Sequence, residues 1–184
     1  MSWAEEDLTW LLTTVQGAGR GLSATTLAHV EKTRDPFRLL VACVISLRTK
    51  DQVTAQAAAR LFAVAPDVCS LAQLPPERIA ELIYPAGFYR TKARQLHKLA
   101  HILLAKWNGQ VPKSREGLMS LPGVGRKTAN LVLGLGFGIP AICVDTHVHR
   151  IANRLGLVQT RRPEETEAAL ERVLPQEWWI PFND

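Results

Sequence analysis

The residues best suited to chemistry form one short segment, Leu121-Pro122-Gly123-Val124-Gly125-Arg126-Lys127-Thr128-Ala129-Asn130. A short helix is expected to end at its Pro-Gly-Val-Gly turn, and a new helix to begin directly after it. Glycine permits positive φ and close backbone approach, and the N–H groups of such a turn can bind a phosphate without reading base sequence. The segment predicts a phosphate-binding helical hairpin formed by Gly123, Val124, Gly125 and Arg126. A turn with a purely structural role is the alternative.

Lys127 lies in the first turn of the predicted second helix, where a cation opposes the helix dipole. Helix stability does not account for a lysine at this position, whereas a functional role does. A lysine amine can act as a nucleophile when it is neutral, a state that burial and neighbouring positive charge favour. A surface lysine that contacts a phosphate is the alternative interpretation.

Asp145 follows Lys127 by eighteen residues, in the segment Val144-Asp145-Thr146-His147. It is expected to cap the N-terminus of a helix, and capping alone would account for an aspartate there. A capping carboxylate is also ionised and rigidly held. The glycine-rich link over residues 134–140 would let the two helices fold back, so that Asp145 and Lys127 face one cleft.

Positive charge is concentrated in one part of the chain. Residues 84–130 contain nine basic residues and one acidic residue, a net +8, whereas the whole chain carries +5, so the remainder sums to −3. Such a block favours a polyanionic partner, and a solvated helix face is the alternative. The nine basic residues are Arg90, Lys92, Arg94, Lys98, Lys106, Lys113, Arg115, Arg126 and Lys127.

The elements that must position these residues are predicted to be helices. Ser2 and Glu5 form a capping-box pattern, and Asp35-Pro36 is typical of a helix start. Residues 91–107 form a long amphipathic pattern that ends at Asn108-Gly109. Ser114 is expected to cap a short helix that leads into the hairpin turn. Since no segment alternates as a strand does, we expect an all-α fold of about seven to ten short helices.

Composition excludes several classes of protein. A chain of 184 residues with 47% hydrophobic residues can bury a core without disulfides or metal, which argues against intrinsic disorder. No apolar stretch is long enough to span a membrane, and the acidic N-terminus is unlike a signal peptide. The expected location is therefore the cytoplasm or nucleoid.

The residues that most often bind metals are poorly placed to do so here. Cys43, Cys69 and Cys143 lie far apart in apolar surroundings, so they are interpreted as small buried side chains rather than as a disulfide framework or a zinc site. His147 and His149 are two positions apart and do not share a helix face. No metal site is expected.

Together these segments resemble the helix-hairpin-helix DNA glycosylase superfamily, and within it the endonuclease III branch. The resemblance rests on Leu121–Asn130 followed by Val144–His147, and it extends to Ile45–Asp51, Gly87–Ala93 and Asn108–Pro112.

The fold that the resemblance implies is all-α, with two helical lobes flanking a DNA-binding cleft. Residues 22–136 would form a six-helix lobe that contains the hairpin. Residues 1–21 and 137–184 would form the second lobe.

The resemblance also implies an activity on double-stranded DNA that carries a damaged pyrimidine or an abasic site. Members of this branch flip an oxidised pyrimidine out of the duplex, remove it and nick the abasic strand. Lys127 would attack C1′ of the sugar and form a Schiff base, and β-elimination would follow. Asp145 would activate the nucleophile or stabilise positive charge on the sugar. The alternatives are a non-catalytic hairpin module that binds DNA, an inactive fragment, and a glycosylase for another base such as 8-oxoguanine.

Further DNA contacts are implied at two segments. Arg48 stands where the family commonly has a glutamine that fills the hole left by the flipped base, and a phosphate contact is the alternative. Phe88 matches an apolar wedge position, with core packing as the alternative. Arg90 and Lys92 are predicted to contact DNA as well.

The sequence departs from the family pattern at its C-terminal end. Family members usually end in a loop of four cysteines that binds a [4Fe–4S] cluster, and this sequence stops at Asp184 before such a loop. We therefore expect a fragment of a longer chain, with a naturally short form as the alternative; these residues supply no cofactor, and a cluster is expected only if the natural chain continues. A monovalent cation at the carbonyls of the Gly123–Gly125 turn is implied by the resemblance. The chain is expected to act as a monomer, away from membranes.

Overall fold

The computed structural model describes residues 5–19 and 35–183. Every regular element among them is helical, which confirms the predicted all-α fold class. The chain divides into two compact units. We call residues 24–137 the central unit, and residues 1–23 together with 138–184 the terminal unit. Ser2, one half of the predicted capping box, lies outside the described residues.

The central unit contains seven described α-helices and one π-helical turn. In chain order they are α2 (Pro36–Ser46), α3 (Asp51–Val64), α4 (Val68–Gln73), α5 (Pro76–Ile83), α6 (Tyr89–Trp107), α7 (Arg115–Met119), α8 (Arg126–Leu131) and the π-helical turn Val132–Gly136.

Helix α2 forms the centre of this unit. The Asp35 carboxylate accepts hydrogen bonds from the backbone N–H groups of Phe37 and Arg38 at 2.9 and 3.2 Å, so the predicted helix start is confirmed. Leu40 and Ile45 are fully buried, and the helix packs against α3, α6 and the π-helical turn. Each such side chain stabilises the fold by about 1.5–3 kcal/mol.

Helix α6 connects this core to the loops that carry the basic residues. It buries one face, which includes Leu96, Leu99 and Leu103, against α4 and α5. The helix ends where Asn108 turns left-handed at φ 48°, and the N–H of Gly109 donates to the Leu103 carbonyl at 2.9 Å. The predicted Asn-Gly helix end is confirmed.

The segment after α8 differs from the glycine-rich link that was expected to begin at residue 134. The π-helical turn Val132–Gly136 prolongs the helix and packs against α2. A Cβ at Gly136 would stand 3.4 Å from Cα of Pro36, an ordinary van der Waals distance, so this packing does not require glycine. Helical backbone continues through Phe137, and the non-helical link begins at Gly138.

The terminal unit is built from both ends of the chain. Its described elements are α1 (Glu5–Gly19), α9 (Thr146–Arg154), α10 (Pro163–Val173) and the short 3₁₀ turns Gln176–Trp178 and Pro181–Asn183. Leu8, Ile142 and Leu170 belong to its core, and the aromatic side chains of the last 3₁₀ turns pack against that core. Helix α10 was not predicted from the sequence.

The cysteines are all free thiols, but they differ in exposure. Cys43 and Cys143 are buried, whereas Cys69 on α4 is exposed, so the prediction that all three are buried is wrong for Cys69. None of the described helices is both long and apolar enough to cross a membrane.

Candidate active site and nucleic-acid interface

The hairpin lies between α7 and α8, as the sequence predicted. The Ser114 hydroxyl accepts the N–H of Gly117 at 3.1 Å and so caps α7. The N–H of Leu121 then donates to the Leu118 carbonyl at 3.0 Å, and the N–H of Val124 donates to the Leu121 carbonyl at 3.2 Å. These bonds fold residues 119–125 into a compact turn that leads directly into α8.

Two glycines shape the turn in different ways. Gly123 has φ 80°, a conformation that strains a residue with a Cβ, so glycine suits this position; a Cβ there would also stand 2.9 Å from Oε1 of Gln95 on α6, which would have to move. Gly125 has ordinary φ and nothing within 4 Å of its absent Cβ. Because Gly125 is exposed, the backbone of another molecule can approach it closely.

Val124 lies on the inside of the turn, and the DNA contact predicted for it stays a prediction. Its side chain is buried, and its N–H is used inside the turn. Val124 therefore pins the hairpin from within, while Gly125 and Arg126 stand on the exposed side.

A polar contact that the sequence analysis missed joins the two helices of the hairpin. Asn130 on α8 is almost fully buried, and its Oδ1 accepts a hydrogen bond from Nε of Arg115 on α7 at 3.0 Å. Arg115 was counted only as part of the basic block. An asparagine on an otherwise apolar helix face is the signal that could have indicated a buried hydrogen-bond acceptor.

Lys127 is an exposed residue in the first turn of α8, directly after the hairpin turn. The first N–H groups of a helix have no acceptor within it, so the chain places an amine beside backbone groups suited to an anion. The arrangement matches the predicted position of a nucleophile next to a bound DNA phosphate. Its chemical role stays a prediction.

Asp145 is the N-cap of α9, as predicted. Its Oδ1 accepts hydrogen bonds from the N–H groups of His147 and Val148, both at 2.8 Å. These two bonds fix the carboxylate while the residue keeps part of its surface accessible. Lys127 belongs to the central unit and Asp145 to the terminal unit, and their pairing across one cleft stays a prediction.

Arg48 and Phe88, predicted to enter the DNA, lie side by side. The Arg48 guanidinium carbon is 5.7 Å from the centre of the Phe88 ring, within the range of a cation–π contact. Arg48 is exposed, and Phe88 is 63% exposed, so core packing does not account for the phenylalanine. Both residues have left-handed backbone, at φ 52° and 56°.

The prediction that Lys92 contacts DNA is corrected by the structure. The side chain is 3% exposed, and its ammonium donates to the carbonyls of Ile45 and Leu47 and to the hydroxyl of Thr49. Burial lowers the pKa of Lys92 to about 8. A lysine that is enclosed and bonded in this way does not reach a phosphate, and charge counting could not distinguish it from its exposed neighbours.

Arg90 is exposed, but it does not stand in a purely basic environment. With Arg94, Glu77 and Glu81 it lines a pocket of about 530 Å³ between α5 and α6. The Arg90 guanidinium also lies 5.6 Å from the centre of the Tyr89 ring. Glu81 is already paired with Arg78 at 2.7 Å, and the DNA contact of Arg90 stays a prediction.

The described residues do not fit an iron–sulfur cluster. Among them no three histidine, cysteine or acidic side chains are grouped in a way that could hold a metal ion, and the three cysteines include one exposed and two buried thiols. No step of the chemistry is therefore assigned to a cluster. The cluster in a longer chain and the monovalent cation at the hairpin both stay predictions.

Comparison with known proteins identifies the family. Residues 41–176 match the model of the family described as "HhH-GPD superfamily base excision DNA repair protein". Endonuclease III of Thermotoga maritima is 52% identical over 152 residues, which cover 83% of this chain and 71% of that protein. Endonuclease III homolog 1, chloroplastic, of Arabidopsis thaliana is 44% identical over 80% of this chain, but only 41% of its own length is matched.

The fold comparison agrees with the sequence comparison. A solved structure of a trapped endonuclease III–DNA covalent intermediate matches with a TM-score of 0.85 and 37% identity, over 97% of this chain and 82% of that one. The hairpin, Lys127 and Asp145 all lie within the residues matched by the family model. The chain therefore belongs to the HhH-GPD superfamily of base excision DNA repair proteins, and within it to the endonuclease III branch.

Proposed function

We propose that this chain is a bifunctional base excision repair enzyme, a DNA glycosylase that removes oxidised pyrimidines and then nicks the abasic strand. The observation that carries the proposal is the exposed amine of Lys127 in the turn of helix that follows the hairpin. A hairpin that only bound DNA would need the glycines and basic residues, but it would have no use for a nucleophile there. The relatives named endonuclease III support the same activity.

The reaction begins with the amine of Lys127 in its neutral form. Its lone pair forms a bond to C1′ of the sugar while the glycosidic bond breaks, and the electrons of that bond leave with the base, which takes up a proton. The nitrogen then loses a proton, and its lone pair forms the C=N bond of a Schiff base as the bond from C1′ to the ring oxygen breaks; that oxygen takes up a proton. Loss of a 2′ proton expels the 3′ phosphate, and this β-elimination cuts the strand.

Asp145 supplies a fixed negative charge for this reaction. Two backbone N–H groups hold its carboxylate in one orientation, so no reorganisation is needed when positive charge develops on the sugar. We infer that Asp145 stabilises that charge or accepts a proton from the amine. An asparagine in its place would keep most of the cap but lose the charge.

DNA is held at the hairpin and opened at the Arg48 and Phe88 pair. In this proposal the exposed backbone around Gly125 and the side chain of Arg126 bind a phosphate, and Arg48 and Phe88 fill the space that the flipped nucleotide leaves. A damaged base stacks and pairs less well than an intact one, so flipping it costs less free energy. The protein is proposed to act as a monomer on chromosomal DNA in the cytoplasm or nucleoid.

Covalent trapping tests the proposal directly. The wild-type chain is incubated with borohydride and a duplex that carries a thymine glycol or an abasic site, because borohydride reduces a Schiff base to a stable adduct. We expect an adduct with the wild type, none with Lys127→Gln, and affinity for DNA within a few-fold of wild type, about 1 kcal/mol. Lys106→Gln, which changes an exposed lysine at the end of α6, is the matched control and should trap normally.

Two outcomes of the trapping experiment would contradict the proposal, and each has a different meaning. An adduct that persists in Lys127→Gln would assign the nucleophile to another amine. Normal DNA binding by the wild type without any adduct would favour the alternative of a non-catalytic DNA-binding module.

A further inference from the structure

The loop after α2 and the turn before α6 meet at one buried lysine. Lys92 lies in the first turn of α6 and is 3% exposed. Its ammonium donates to the Ile45 carbonyl at 2.7 Å, to the Leu47 carbonyl, and to Oγ1 of Thr49 at 2.8 Å. An ammonium has three hydrogens, so these acceptors use all of its hydrogen-bonding capacity inside the protein.

Thr49 extends these contacts to the turn before α6. Its Oγ1 accepts the N–H of Gly87 at 3.1 Å as well as the Lys92 ammonium, and its own hydrogen can be donated to the Leu47 carbonyl at 3.3 Å. A hydroxyl has one donor and two acceptor positions, so this one is fully used. We call Lys92, Thr49 and Gly87 the clamp.

The clamp brings two backbones into direct contact. A Cβ at Gly87 would stand 2.4 Å from the carbonyl oxygen of Arg48, so no larger residue fits there without displacement. Arg48 and Phe88 adjoin this contact, and both have left-handed φ. Such a conformation is strained for a non-glycine residue, and it persists only where surrounding interactions impose it.

The side chains that these strained residues carry are exposed and stacked. The Arg48 guanidinium lies over the Phe88 ring, and solvent reaches both side chains. A side chain that is ordered before its ligand arrives loses less entropy on binding. A strained pair of side chains that is already in place before binding suits insertion into a DNA duplex.

Capping of α2 alone does not account for the arrangement. A lysine that bonds the last carbonyls of a helix stabilises that helix end, and the bonds to Ile45 and Leu47 are of this kind. Helix capping has no need of the Thr49 hydroxyl, which joins the loop to Gly87 beside Phe88. The clamp therefore fixes Arg48 and Phe88 relative to each other as well as ending the helix.

We propose that Lys92 and Thr49 are positioning residues, which hold Arg48 and Phe88 as one preassembled wedge for the space that a flipped nucleotide leaves. This inference rests on the proposed function and deepens it, because it names what prepares the wedge.

The test compares Thr49→Val with the wild type on two duplexes that carry the same oxidised pyrimidine. One duplex is fully paired, and in the other the lesion lies in a mismatched bubble, where unpairing is already done. Valine keeps the shape of threonine but removes the hydroxyl. We expect base removal under single-turnover conditions to slow about tenfold on the paired duplex and less than about twofold on the bubble.

Two variants control for a general loss of stability. Thr49→Ser keeps the hydroxyl and should restore the rate on paired DNA. Thr54→Val removes the hydroxyl of a fully buried threonine on α3 that bonds only its own helix, and it should leave the ratio between the two duplexes unchanged. Thermal unfolding of each variant confirms that the proteins are folded.

A double-mutant cycle tests whether the clamp acts through the wedge. Thr49→Val is combined with Arg48→Ala and Phe88→Ala, and a clamp that acts through these side chains has no further effect once they are removed. An undiminished tenfold loss in that background, or an equal loss on both duplexes, would overturn the inference and leave the clamp a purely structural feature. A wild type that removes the base from neither duplex would instead overturn the proposed function.

Discussion

The hairpin and the wedge both contain left-handed backbone, but they reach it by different means. In the hairpin the left-handed residue is Gly123, at φ 80°, for which this conformation carries little cost. In the wedge the left-handed residues are Arg48 and Phe88, at φ 52° and 56°, and a buried ammonium, a hydroxyl and a backbone N–H surround them.

In the proposed function the difference follows from the groups that each region offers to DNA. The hairpin would offer backbone N–H groups, for which a glycine is sufficient and no side chain is needed. The wedge would offer side chains, so glycine cannot be used and neighbouring hydrogen bonds have to offset the strain. The hairpin therefore depends on local sequence, whereas the wedge depends on residues far apart in the chain.

Substitutions at the left-handed positions should change stability in opposite directions in the hairpin and in the wedge, and this is the largest difference that we expect. Gly123→Ala introduces a Cβ at positive φ and 2.9 Å from Gln95, and we expect it to lower the free energy of unfolding by about 1–3 kcal/mol. Arg48→Gly relieves strain, and we expect a change of opposite sign or near zero. Urea unfolding followed by circular dichroism measures both.

Gly125→Ala is the matched control for the hairpin, since its φ is ordinary and nothing lies within 4 Å of the added Cβ. Because Gly125 is the N-cap of α8, alanine should lower the free energy of unfolding by up to about 1 kcal/mol, less than Gly123→Ala does, and should weaken DNA binding. Equal destabilisation by Gly123→Ala and Gly125→Ala would contradict the account of the turn.

The buried ammonium of the clamp should give the wedge region a pH dependence that the hairpin lacks. The pKa of Lys92 is about 8 in the folded chain and about 10.4 when unfolded, so the unfolded state binds more protons between these values. Stability therefore rises with pH across this range. Relative to Lys92→Met, the wild type should gain about 1 kcal/mol of unfolding free energy between pH 8 and 9.

Lys106→Met, at an exposed lysine, serves as the control for this titration and should show no such gain. Unfolding curves at several pH values make the measurement. A constant difference between wild type and Lys92→Met from pH 7 to pH 10 would show that Lys92 is not buried as a charged group.

The salt dependence of DNA affinity should also differ between hairpin and wedge variants, and this is the smallest effect that we expect. Each phosphate contact contributes about 0.9 to the slope of log affinity against log salt concentration. We expect Arg126→Gln in the hairpin to reduce that slope by about this amount, whereas Lys92→Met should leave it unchanged because Lys92 does not reach solvent. Fluorescence anisotropy with labelled duplex between low and moderate salt resolves the difference, and a reduced slope in Lys92→Met would argue against the clamp.

The features that were predicted correctly from the sequence depend on interactions between residues close together in the chain. Asp35, Ser114 and Asp145 were predicted as helix caps, and each accepts the backbone N–H bonds expected of a cap, because capping involves only residues close in sequence. Helix α10 was missed, although Pro163, Glu164 and Glu165 in its first turn are typical of a helix start.

The errors concern contacts between distant segments. Lys92 was grouped with the residues predicted to contact DNA because the sequence shows only its charge, and its partners at positions 45–49 lie more than forty residues away. The contact of Arg115 with Asn130 on the facing helix was likewise missed, because the sequence analysis counted Arg115 only as a charge.

The sequence by itself determined the all-α class, the helix caps at Asp35, Ser114 and Asp145, the hairpin turn and the family, because each depends on residue types at short, fixed spacings. Only the tertiary structure decided which basic residues are exposed, that Arg48 and Phe88 stack, and that a buried lysine and a threonine lie beneath them. Burial and hydrogen bonding between segments depend on which surfaces the helices pack together, and no local spacing specifies that packing.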